Sequence, residues 1–330
     1  MTALLTIDKL SKRFERKPDA IERLAAKLGA NIRGISVKAV DQASFTVQRG
    51  EVVGLVGESG CGKSTLGRMV AGLLPPSDGR IIYDGADITH AGTASGKRLG
   101  IQMIFQDPMS SLNPRMAVRD IIGEAAVHHG IISRADMPAY VAGLLQQVGL
   151  DPSYAGRYPH QFSGGQRQRI GIARALAVKP DFLICDESIA ALDVSIQAQV
   201  INLFQDLRRQ LGLTYLFISH DLGVVEHIAD RVVVMYLGRV VETAPTEALF
   251  AAPRHPYTQA LLAQIPRIDS GARDFTPIKG EIPSPVNPPS GCHFHPRCPF
   301  AGPRCKAEAP RLISQGDHAA ACHLIDGGVQ

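Results

Sequence analysis

The strongest sequence signal for the fold is the run Val52-Val53-Gly54-Leu55-Val56-Gly57-Glu58-Ser59-Gly60-Cys61-Gly62-Lys63-Ser64-Thr65. An apolar strand leads through a glycine-rich loop into the start of a helix. The glycines let successive backbone N–H groups converge on one anion, and the helix directs the positive end of its dipole at the same charge. Lys63 can neutralise the β- and γ-phosphates, and Ser64 offers a hydroxyl to Mg²⁺. Residues 57–65 are therefore predicted to bind a nucleoside triphosphate, and a glycine turn without a ligand is the minor alternative.

Composition narrows the class of protein. The chain has 330 residues, a net charge of +4 and six cysteines. This length accommodates one large α/β domain with an appendage, or two modest domains. No window approaches the roughly 18 consecutive apolar residues of a membrane span, and the N-terminus lacks the pattern of a signal peptide. We therefore expect a soluble cytosolic protein whose cysteines are thiols or metal ligands, and the small net charge gives no reason to expect nucleic-acid binding.

The order of the predicted elements is that of an α/β protein with a mainly parallel sheet, because strand patterns alternate with helical patterns. The strand patterns cover residues 101–105, 182–185, 215–218 and 232–236, and the helical patterns cover residues 195–209 and 222–229. Strand patterns at residues 4–10 and 43–47 predict an antiparallel edge subdomain beside the phosphate loop. A capping pattern and apolar spacing predict a short surface helix at residues 19–28.

Two segments depart from this alternation. Residues 118–150 predict two helices, which form a helical insertion within the α/β domain. After residue 250 the composition changes, because 12 of the 22 prolines lie in residues 251–330. We predict a nucleotide-binding domain over residues 1–250, with a helical subdomain at about 110–175, and a separate, irregular C-terminal module over residues 251–330.

A pair of carboxylates follows an apolar strand in Phe182-Leu183-Ile184-Cys185-Asp186-Glu187. An Asp in this position can hold the Mg²⁺ shell, and a Glu can orient or deprotonate an attacking water. Alone, such a pair often only caps the next helix. With the phosphate loop upstream, it indicates hydrolysis of the nucleotide rather than binding alone.

A second glycine-rich helix start follows at Phe162-Ser163-Gly164-Gly165-Gln166-Arg167-Gln168-Arg169, and it is a second candidate anion site. With these two motifs in this order, the chain resembles the ATP-binding-cassette ATPases, whose signature motif it matches except that Phe162 replaces the usual leucine. The resemblance implies four further assignments: Gln106 in the Q-loop, Ala191-Leu192-Asp193 as the D-loop, His220 as the switch histidine and Phe14 as the aromatic that stacks on adenine.

The resemblance also implies a head-to-tail dimer in which each ATP lies between the phosphate loop of one subunit and the signature helix of the other. Glu187 would polarise the attacking water, His220 would contact the γ-phosphate, and Gln106 would sense Mg²⁺ and water. The implied Mg²⁺ ligands are Ser64, Gln106 and Asp186. The residues implied to serve the partner's ATP are Ser163, Gly164 and Gly165, and Gln166 and Asp193 are further implied nucleotide-binding residues. The chain departs from the family in one turn, where Ser188-Ile189 replaces the usual Pro-Thr.

A narrower resemblance covers nearly the whole chain. The runs Phe105-Gln106-Asp107-Pro108-Met109-Ser110-Ser111-Leu112-Asn113-Pro114-Arg115-Met116, Tyr158-Pro159-His160-Gln161-Phe162 and His255-Pro256-Tyr257-Thr258 are similar to ATPase subunits of bacterial oligopeptide/dipeptide importers. Residues 185–187 and 193–199 resemble the second, F-type subunit. The implied partners are a second ATPase subunit, two membrane permeases and, indirectly, an extracytoplasmic peptide-binding protein. The chain would lie at the cytoplasmic face of the inner membrane.

The binding protein and the permeases, rather than this chain, would select the cargo. The cargo could be a dipeptide, an oligopeptide, a nickel chelate or another solute. The alternative function is a soluble ABC ATPase that acts on ribosomes, DNA or iron–sulfur assembly without a permease. The single phosphate loop and the lack of long heptad arms favour transport over that alternative.

Four cysteines lie within 31 residues near the C-terminus: Cys292, Cys298, Cys305 and Cys322. In a cytosolic chain this concentration predicts a metal site. The spacing lacks the close pairs of zinc ribbons, and four thiolates suit an iron–sulfur cluster. The pattern also resembles the C-terminal region of the importer family, some of whose members hold a [4Fe–4S] cluster. We therefore expect a [4Fe–4S] cluster, with Zn²⁺ as the alternative, and we expect Cys61 and Cys185 to be packing residues.

Overall fold

The computed structural model describes residues 3–15, 36–91, 96–190, 192–265 and 280–326. The predicted helix at residues 19–28 and Ala191 of the predicted D-loop lie outside these ranges. The described strands are β1 (Ala3–Glu15), β2 (Ser36–Gln48), β3 (Val52–Val56), β4 (Asp78–Tyr83), β5 (Ala86–Asp87), β6 (Ile101–Ile104), β7 (Phe182–Asp186), β8 (Thr214–Ser219), β9 (Arg231–Tyr236), β10 (Arg239–Pro245), β11 (Ile313–Gln315) and β12 (His318–Ala320). The described α-helices are α1 (Lys63–Val70), α2 (Gly96–Leu99), α3 (Pro108–Ser111), α4 (Val118–His128), α5 (Met137–Gln147), α6 (Gly164–Leu176), α7 (Val194–Leu211), α8 (Leu222–Ile228), α9 (Thr246–Ala251), α10 (Pro256–Leu262), α11 (Pro303–Ala307) and α12 (His323–Asp326).

The larger sheet has the strand order β11-β12-β10-β9-β3-β8-β7-β6. Its strands from β9 to β6 run parallel, and β10, β12 and β11 continue the sheet with antiparallel pairing. Strand β3 lies between β8 and β9, and all five of its residues are buried. Strands covered on both faces read as continuous apolar runs, which is why these strands were visible in the sequence. The predicted mainly parallel α/β sheet is confirmed.

The smaller sheet is antiparallel, with the order β2-β1-β4-β5. It confirms the predicted antiparallel subdomain, although β1 and β2 are longer than their apolar patterns. Strands β4, β5 and β10 to β12 were not predicted. Strand β4 begins with residues that are largely outside the core, and β5 has two residues, so their strand conformation comes from pairing with neighbours rather than from a local pattern.

The helical insertion lies between β6 and β7 and contains α4, α5 and α6 with two short 3₁₀ helices, Pro152–Gly156 and Pro159–Gln161. Helices α4 and α5 match the two predicted helices. Ile122, Val141 and Leu145 are fully buried between them, so the insertion has an apolar interior that is continuous with the core of the sheet. The packing of the insertion positions the start of α6.

Part of the C-terminal segment is attached to the main sheet. Strand β12 pairs with β10, and β11 pairs with β12. The ring of Phe294 is buried, with its centroid 5.3 Å from that of Tyr236 and 5.4 Å from that of Tyr257. A buried contact between His318 Nε2 and Glu242 Oε1, 2.6 Å long, also joins β12 to β10. The domain boundary at residue 250 stays a prediction.

Within the described ranges, none of the helices combines the length and the apolar character that crossing a membrane requires.

Candidate nucleotide-binding site

The phosphate loop connects the end of β3 to the start of α1, as the sequence predicts. The side chain of Lys63 is buried and lies folded over the loop. Its Nζ donates hydrogen bonds to Gly57 O at 2.7 Å and to Glu58 O at 3.1 Å. Because backbone carbonyls now accept these bonds, the ammonium group is already held above the loop, where a phosphate oxygen can replace them as the acceptor.

Glycines at both ends of the loop allow two close backbone contacts. Gly57 has a φ of 151°, and a Cβ there would lie 2.2 Å from Met235 O. Gly62 has a φ of 106°, and a Cβ there would lie 2.1 Å from Ala39 O. Side chains do not fit at either position, and L-residues rarely adopt these backbone angles. The loop therefore packs against β9 and β2 with its backbone rather than with side chains.

Ser64 and Asp186 form a pair of oxygen groups at the foot of the loop. Ser64 Oγ donates a hydrogen bond to Asp186 Oδ1 at 2.6 Å. Burial raises the pKa of the Asp186 carboxyl above its ordinary value, and the hydrogen bond from Ser64 opposes that shift. Carboxylate and hydroxyl oxygens are the ligands that Mg²⁺ prefers, so this donor pair fits a Mg²⁺ site. Gln106, the third predicted ligand, instead contacts Glu187.

Three residues predicted to be catalytic meet at the carboxyl ends of β6, β7 and β8. Gln106 Nε2 donates to Glu187 Oε2 at 2.9 Å, and His220 Nδ1 lies 3.4 Å from Glu187 Oε1. Neighbouring parallel strands end at the same edge of a sheet, which explains why residues distant in sequence converge here. Glu187 has a φ of 46°, in the left-handed region, and its N–H donates to Ile218 O. This strained turn fixes the direction of the carboxylate.

The signature motif forms an exposed helix start. Ser163 caps α6: its Oγ accepts from Gln166 N at 3.4 Å, and Gln166 Oε1 accepts from Ser163 N at 3.0 Å. Gly165 packs closely, because a Cβ there would lie 2.6 Å from Ile196 Cγ2 of α7. Across the described parts of the chain, no hydrogen bond or ion pair joins residues 163–166 to the phosphate loop. The structure therefore brings the other hydrolytic residues together without this motif.

Phe14 and Asp193 stay predictions, and both side chains are exposed. Phe14 lies near the end of β1 with 43% of its surface exposed, and Lys12 Nζ is 5.3 Å from the ring centroid. Asp193 caps α7 without a hydrogen bond from its side chain to that helix. An exposed ring and an exposed carboxylate are compatible with contacts to a base and to another subunit, respectively.

The four C-terminal cysteines line one largely apolar cavity together with side chains such as Phe294 and Leu324. Burial raises the pKa of the Cys292 and Cys298 thiols, and it raises the pKa of Cys322 to about 11. No group of three or more His, Cys, Asp or Glu side chains in the described residues is arranged to hold a metal ion. The four thiols therefore line one cavity, and the metal site predicted for them stays a prediction. Cys61 and Cys185 are buried packing residues.

Two functional candidates were missed by the sequence analysis, and both come from the C-terminal segment. Arg297 forms a bidentate ion pair with Glu58 of the phosphate loop, and the hydroxyl oxygen of Tyr257 accepts from Glu58 N at 2.8 Å. Tyr257 belongs to a run that the narrower resemblance singled out. For Arg297 no local pattern gave a signal, because its partner is 239 residues away.

Comparison with known proteins agrees with this geometry. Residues 40–190 match the ABC transporter family, and residues 241–305 match the family described as oligopeptide/dipeptide transporter, C-terminal region. The oligopeptide transport ATP-binding protein AppF of Bacillus subtilis is 53% identical over 87% of this chain and 90% of its own length. The oligopeptide transport ATP-binding protein OppF of Salmonella typhimurium is 48% identical over 88% of this chain and 89% of its own length. Among solved structures, cbiO1 of Clostridium perfringens, part of the ABC transporter complex cbiONQ, has a TM-score of 0.61 and 27% identity, covering 76% of this chain and 91% of that chain.

Proposed function

This chain belongs to the ABC transporter ATP-binding proteins, in the group with the oligopeptide/dipeptide transporter C-terminal region, and we propose that it works as one half of a two-subunit ATPase. It is the ATP-hydrolysing subunit of a peptide importer. AppF and OppF are both named as oligopeptide transport proteins, which favours this function over a soluble ABC ATPase without a permease. One observation carries the proposal: the Glu187 carboxylate lies between Gln106 and His220, beside the Ser64–Asp186 pair.

ATP binding begins at the loop backbone and Lys63. The Lys63 ammonium exchanges its two carbonyl acceptors for phosphate oxygens, so its charge faces the β- and γ-phosphates. Ser64 and Asp186 would hold Mg²⁺, with Gln106 as a further candidate ligand, and this ion would spread the charge that develops on the transferred phosphoryl group. The N–H groups at the start of α1 add a fixed positive field at the same place.

Hydrolysis requires a water in line with the γ-phosphate. Glu187 accepts a hydrogen bond from that water and withdraws its proton as the new P–O bond forms. Gln106 donates a hydrogen bond to one carboxylate oxygen of Glu187 and could donate to the water instead, whereas its amide oxygen could bind Mg²⁺. The His220 side chain is partly exposed and lies beside the other carboxylate oxygen of Glu187. In this position the imidazole could contact the γ-phosphate. Both neighbours thus orient the base and respond to the nucleotide.

The exposed start of α6 supports a sandwich between two subunits. Residues Ser163 to Gln166 would bind the γ-phosphate of the ATP held by the partner subunit, and Asp193 would lie at the same interface. We propose that the partner is a second, related ATPase, so that the motor is a heterodimer. Gly164 is exposed and Gly165 is half-buried, and the lack of side chains at both positions allows an anion to approach the backbone closely.

The transport partners of the proposed complex are two membrane permeases, which receive peptides from an extracytoplasmic binding protein. A groove of about 370 Å³ between β6, α4 and α6 offers a docking place for a permease segment, and Phe105 and Gln102 line it next to Gln106. Movement of a segment in this groove would reach the Glu187 site through one residue. The chain would then act at the cytoplasmic face of the inner membrane.

The cysteine cavity supports the proposal of a [4Fe–4S] cluster held by Cys292, Cys298, Cys305 and Cys322. The four thiols line one small cavity of about 10 Å³, and thiolates are the ligands that iron–sulfur clusters use. Four thiol donors in an apolar surrounding fit a cluster that supplies a cross-link to this segment.

Anaerobic purification with elemental analysis tests the cluster. The wild-type chain should contain iron and sulfide in about equal amounts, near four of each per chain. Cys305→Ser should lose most of the iron, whereas Cys185→Ser, a change in a buried strand, should keep it. Stoichiometric zinc without sulfide would establish the alternative metal.

Co-purification tests the importer function. The Glu187→Gln variant, tagged and extracted from native membranes with ATP present, should bring with it two permeases and a second ABC ATPase. Hydrolysis is blocked in this variant, so the sandwiched state accumulates. A chain recovered with ribosomes or DNA instead, and without a permease, would contradict the proposal.

A further inference from the structure

The C-terminal segment holds the phosphate loop at one residue, Glu58. Arg297 Nη1 donates to Glu58 Oε2 at 2.7 Å, and Nη2 donates to Glu58 Oε1 at 2.9 Å. Tyr257 accepts from the backbone N–H of the same glutamate at 2.8 Å. Both the side chain and the main chain of Glu58 are therefore fixed by residues from the far end of the sequence.

The surroundings of Arg297 leave its guanidinium little freedom. Its side chain is 4% exposed, and it lies between Glu58 and the hydroxyl of Tyr236, which is 3.4 Å from Nη1. The hydrogen bonds with Glu58 raise the pKa of Arg297 above its ordinary value. Nε of Arg297 is buried without a hydrogen-bond partner. Both Nη groups bind the Glu58 carboxylate although Nε is left without a partner. The position of this buried guanidinium is therefore set by its interaction with Glu58.

Glu58 is in turn connected to the lysine that binds phosphate. Its backbone carbonyl accepts from Lys63 Nζ at 3.1 Å, and the loop between them contains N–H groups that would bind phosphate. The Glu58 carboxylate is also a negative charge on the phosphate loop. Without its arginine it would repel the phosphates, and the loop would lose its only bidentate anchor among the described residues.

We propose that Arg297 is a positioning residue for ATP binding, which acts through Glu58 by fixing the phosphate loop and by neutralising its carboxylate. Arg297 does not touch the nucleotide in this scheme. It immediately precedes Cys298, so the turn that carries two of the cysteines also delivers the guanidinium. The proposal rests on ATP binding by this chain and assigns a role in it to the C-terminal segment.

A double-mutant cycle on the full-length chain tests this role, with binding of a fluorescent ATP analogue and thermal unfolding as the two measurements. Arg297→Met leaves the Glu58 carboxylate unpaired and should weaken binding by roughly tenfold. Arg297→Lys keeps the charge but loses the fork, so its loss should be smaller. Adding Glu58→Gln to Arg297→Met removes the unpaired charge and should restore most of the affinity.

A second arginine–glutamate pair supplies the matched control. Arg231 binds Glu51 through Nε at 2.7 Å, with 19% and 13% of the two side chains exposed. This pair lies at the amino ends of β9 and β3, at the opposite edge of the sheet from the phosphate loop. Arg231→Met should lower the melting temperature and leave the affinity for the analogue unchanged.

The outcomes separate the two levels of inference. Wild-type chain that fails to bind the analogue would contradict the nucleotide site itself. If the wild type binds and Arg297→Met lowers only the melting temperature, Arg297 is structural and the positioning role is wrong. If the double variant binds the analogue no better than Arg297→Met, Arg297 does not act on ATP binding by neutralising Glu58. If Arg297→Met does not fold, the same comparison applies to the neutral variant Arg297→Gln with and without Glu58→Gln.

Discussion

The phosphate loop and the signature motif are both glycine-rich helix starts, yet the structure treats them differently. The start of α1 is capped by Gly62, which has no side chain, and the loop before it is held by Tyr257 and Arg297. The start of α6 is exposed and is capped by its own Ser163. The first therefore has a fixed shape with N–H groups open to a ligand.

The second is a helix end whose N–H group at Gln166 already has an acceptor, at the long distance of 3.4 Å. A bond this long is easily replaced by a charged acceptor. The phosphate loop therefore has a fixed shape within this chain, whereas the signature motif lies apart from it. In the proposed dimer, the signature motif would bind an anion presented by another subunit.

The catalytic centre of the preorganised half gives the largest expected effect. Glu187→Gln keeps the hydrogen bond with Gln106 but removes the base, so ATP turnover should fall by about 10²–10⁴-fold while ATP binding is unchanged. Steady-state ATPase assays and direct binding measure the two quantities. Glu226→Gln, in the exposed part of α8, is the control and should behave like wild type. Normal turnover by Glu187→Gln would remove this residue from its role.

The signature half should respond to charge without a change in folding. Gly164→Asp places a carboxylate at a helix start, which favours the helix, and a Cβ there meets only Leu192 Cδ2 at an ordinary 3.7 Å. The carboxylate should repel the partner's ATP and reduce hydrolysis roughly 10²-fold. Binding of ATP to the isolated chain and the melting temperature should stay unchanged.

Gly156→Asp adds the same charge in open space near the surface and serves as the control. Loss of ATP binding by the isolated Gly164→Asp chain would mean that the signature helix already belongs to this chain's own site. The contrast between the two helix starts would then be wrong.

The shape of the phosphate loop can be tested with two alanine substitutions. Gly57→Ala brings a Cβ to 2.2 Å from Met235 O, so the loop must move, and the strained backbone costs about 1–3 kcal/mol. ATP affinity should fall by roughly tenfold or more. Gly60→Ala meets no atom within 4 Å, and its cost should stay near 1 kcal/mol with little change in affinity. Calorimetric unfolding and ATP-binding assays compare the two variants. If Gly57→Ala and Gly60→Ala have equal effects, close packing of the loop is unimportant.

The smallest effect is expected at the base of the nucleotide, which one exposed ring would hold. Phe14→Ala should weaken ATP binding by about 1–2 kcal/mol, since stacking on an aromatic side chain contributes about that much for each base. Phe14→Tyr should retain the affinity. Leu211→Ala removes a comparably exposed apolar side chain at the end of α7 and should have no effect. Affinities of Phe14→Ala and wild type that agree within error would assign the base to another contact.

Much of the fold was predictable because the signals are local. The strands of the parallel sheet are continuous apolar runs, and α4 and α5 follow helical spacing. The contacts of Lys63, and the Gln106–Glu187–His220 arrangement, follow from motifs that end neighbouring parallel strands. Strands β4, β10 and β12 escaped prediction because pairing partners, rather than a pattern of their own, make them strands.

Short runs of residues were enough to predict the phosphate loop, the base at Glu187 and the family, because the spacing within each run dictates its local geometry. The extension of the main sheet by the C-terminal segment, and the contact of that segment with the phosphate loop, are visible only in the tertiary structure. The pairing of Arg297 with Glu58 spans 239 residues, and the cysteine cavity brings together residues from four different turns and helices. Contacts of this kind depend on how finished elements pack, and sequence patterns encode the elements far more directly than the packing between them.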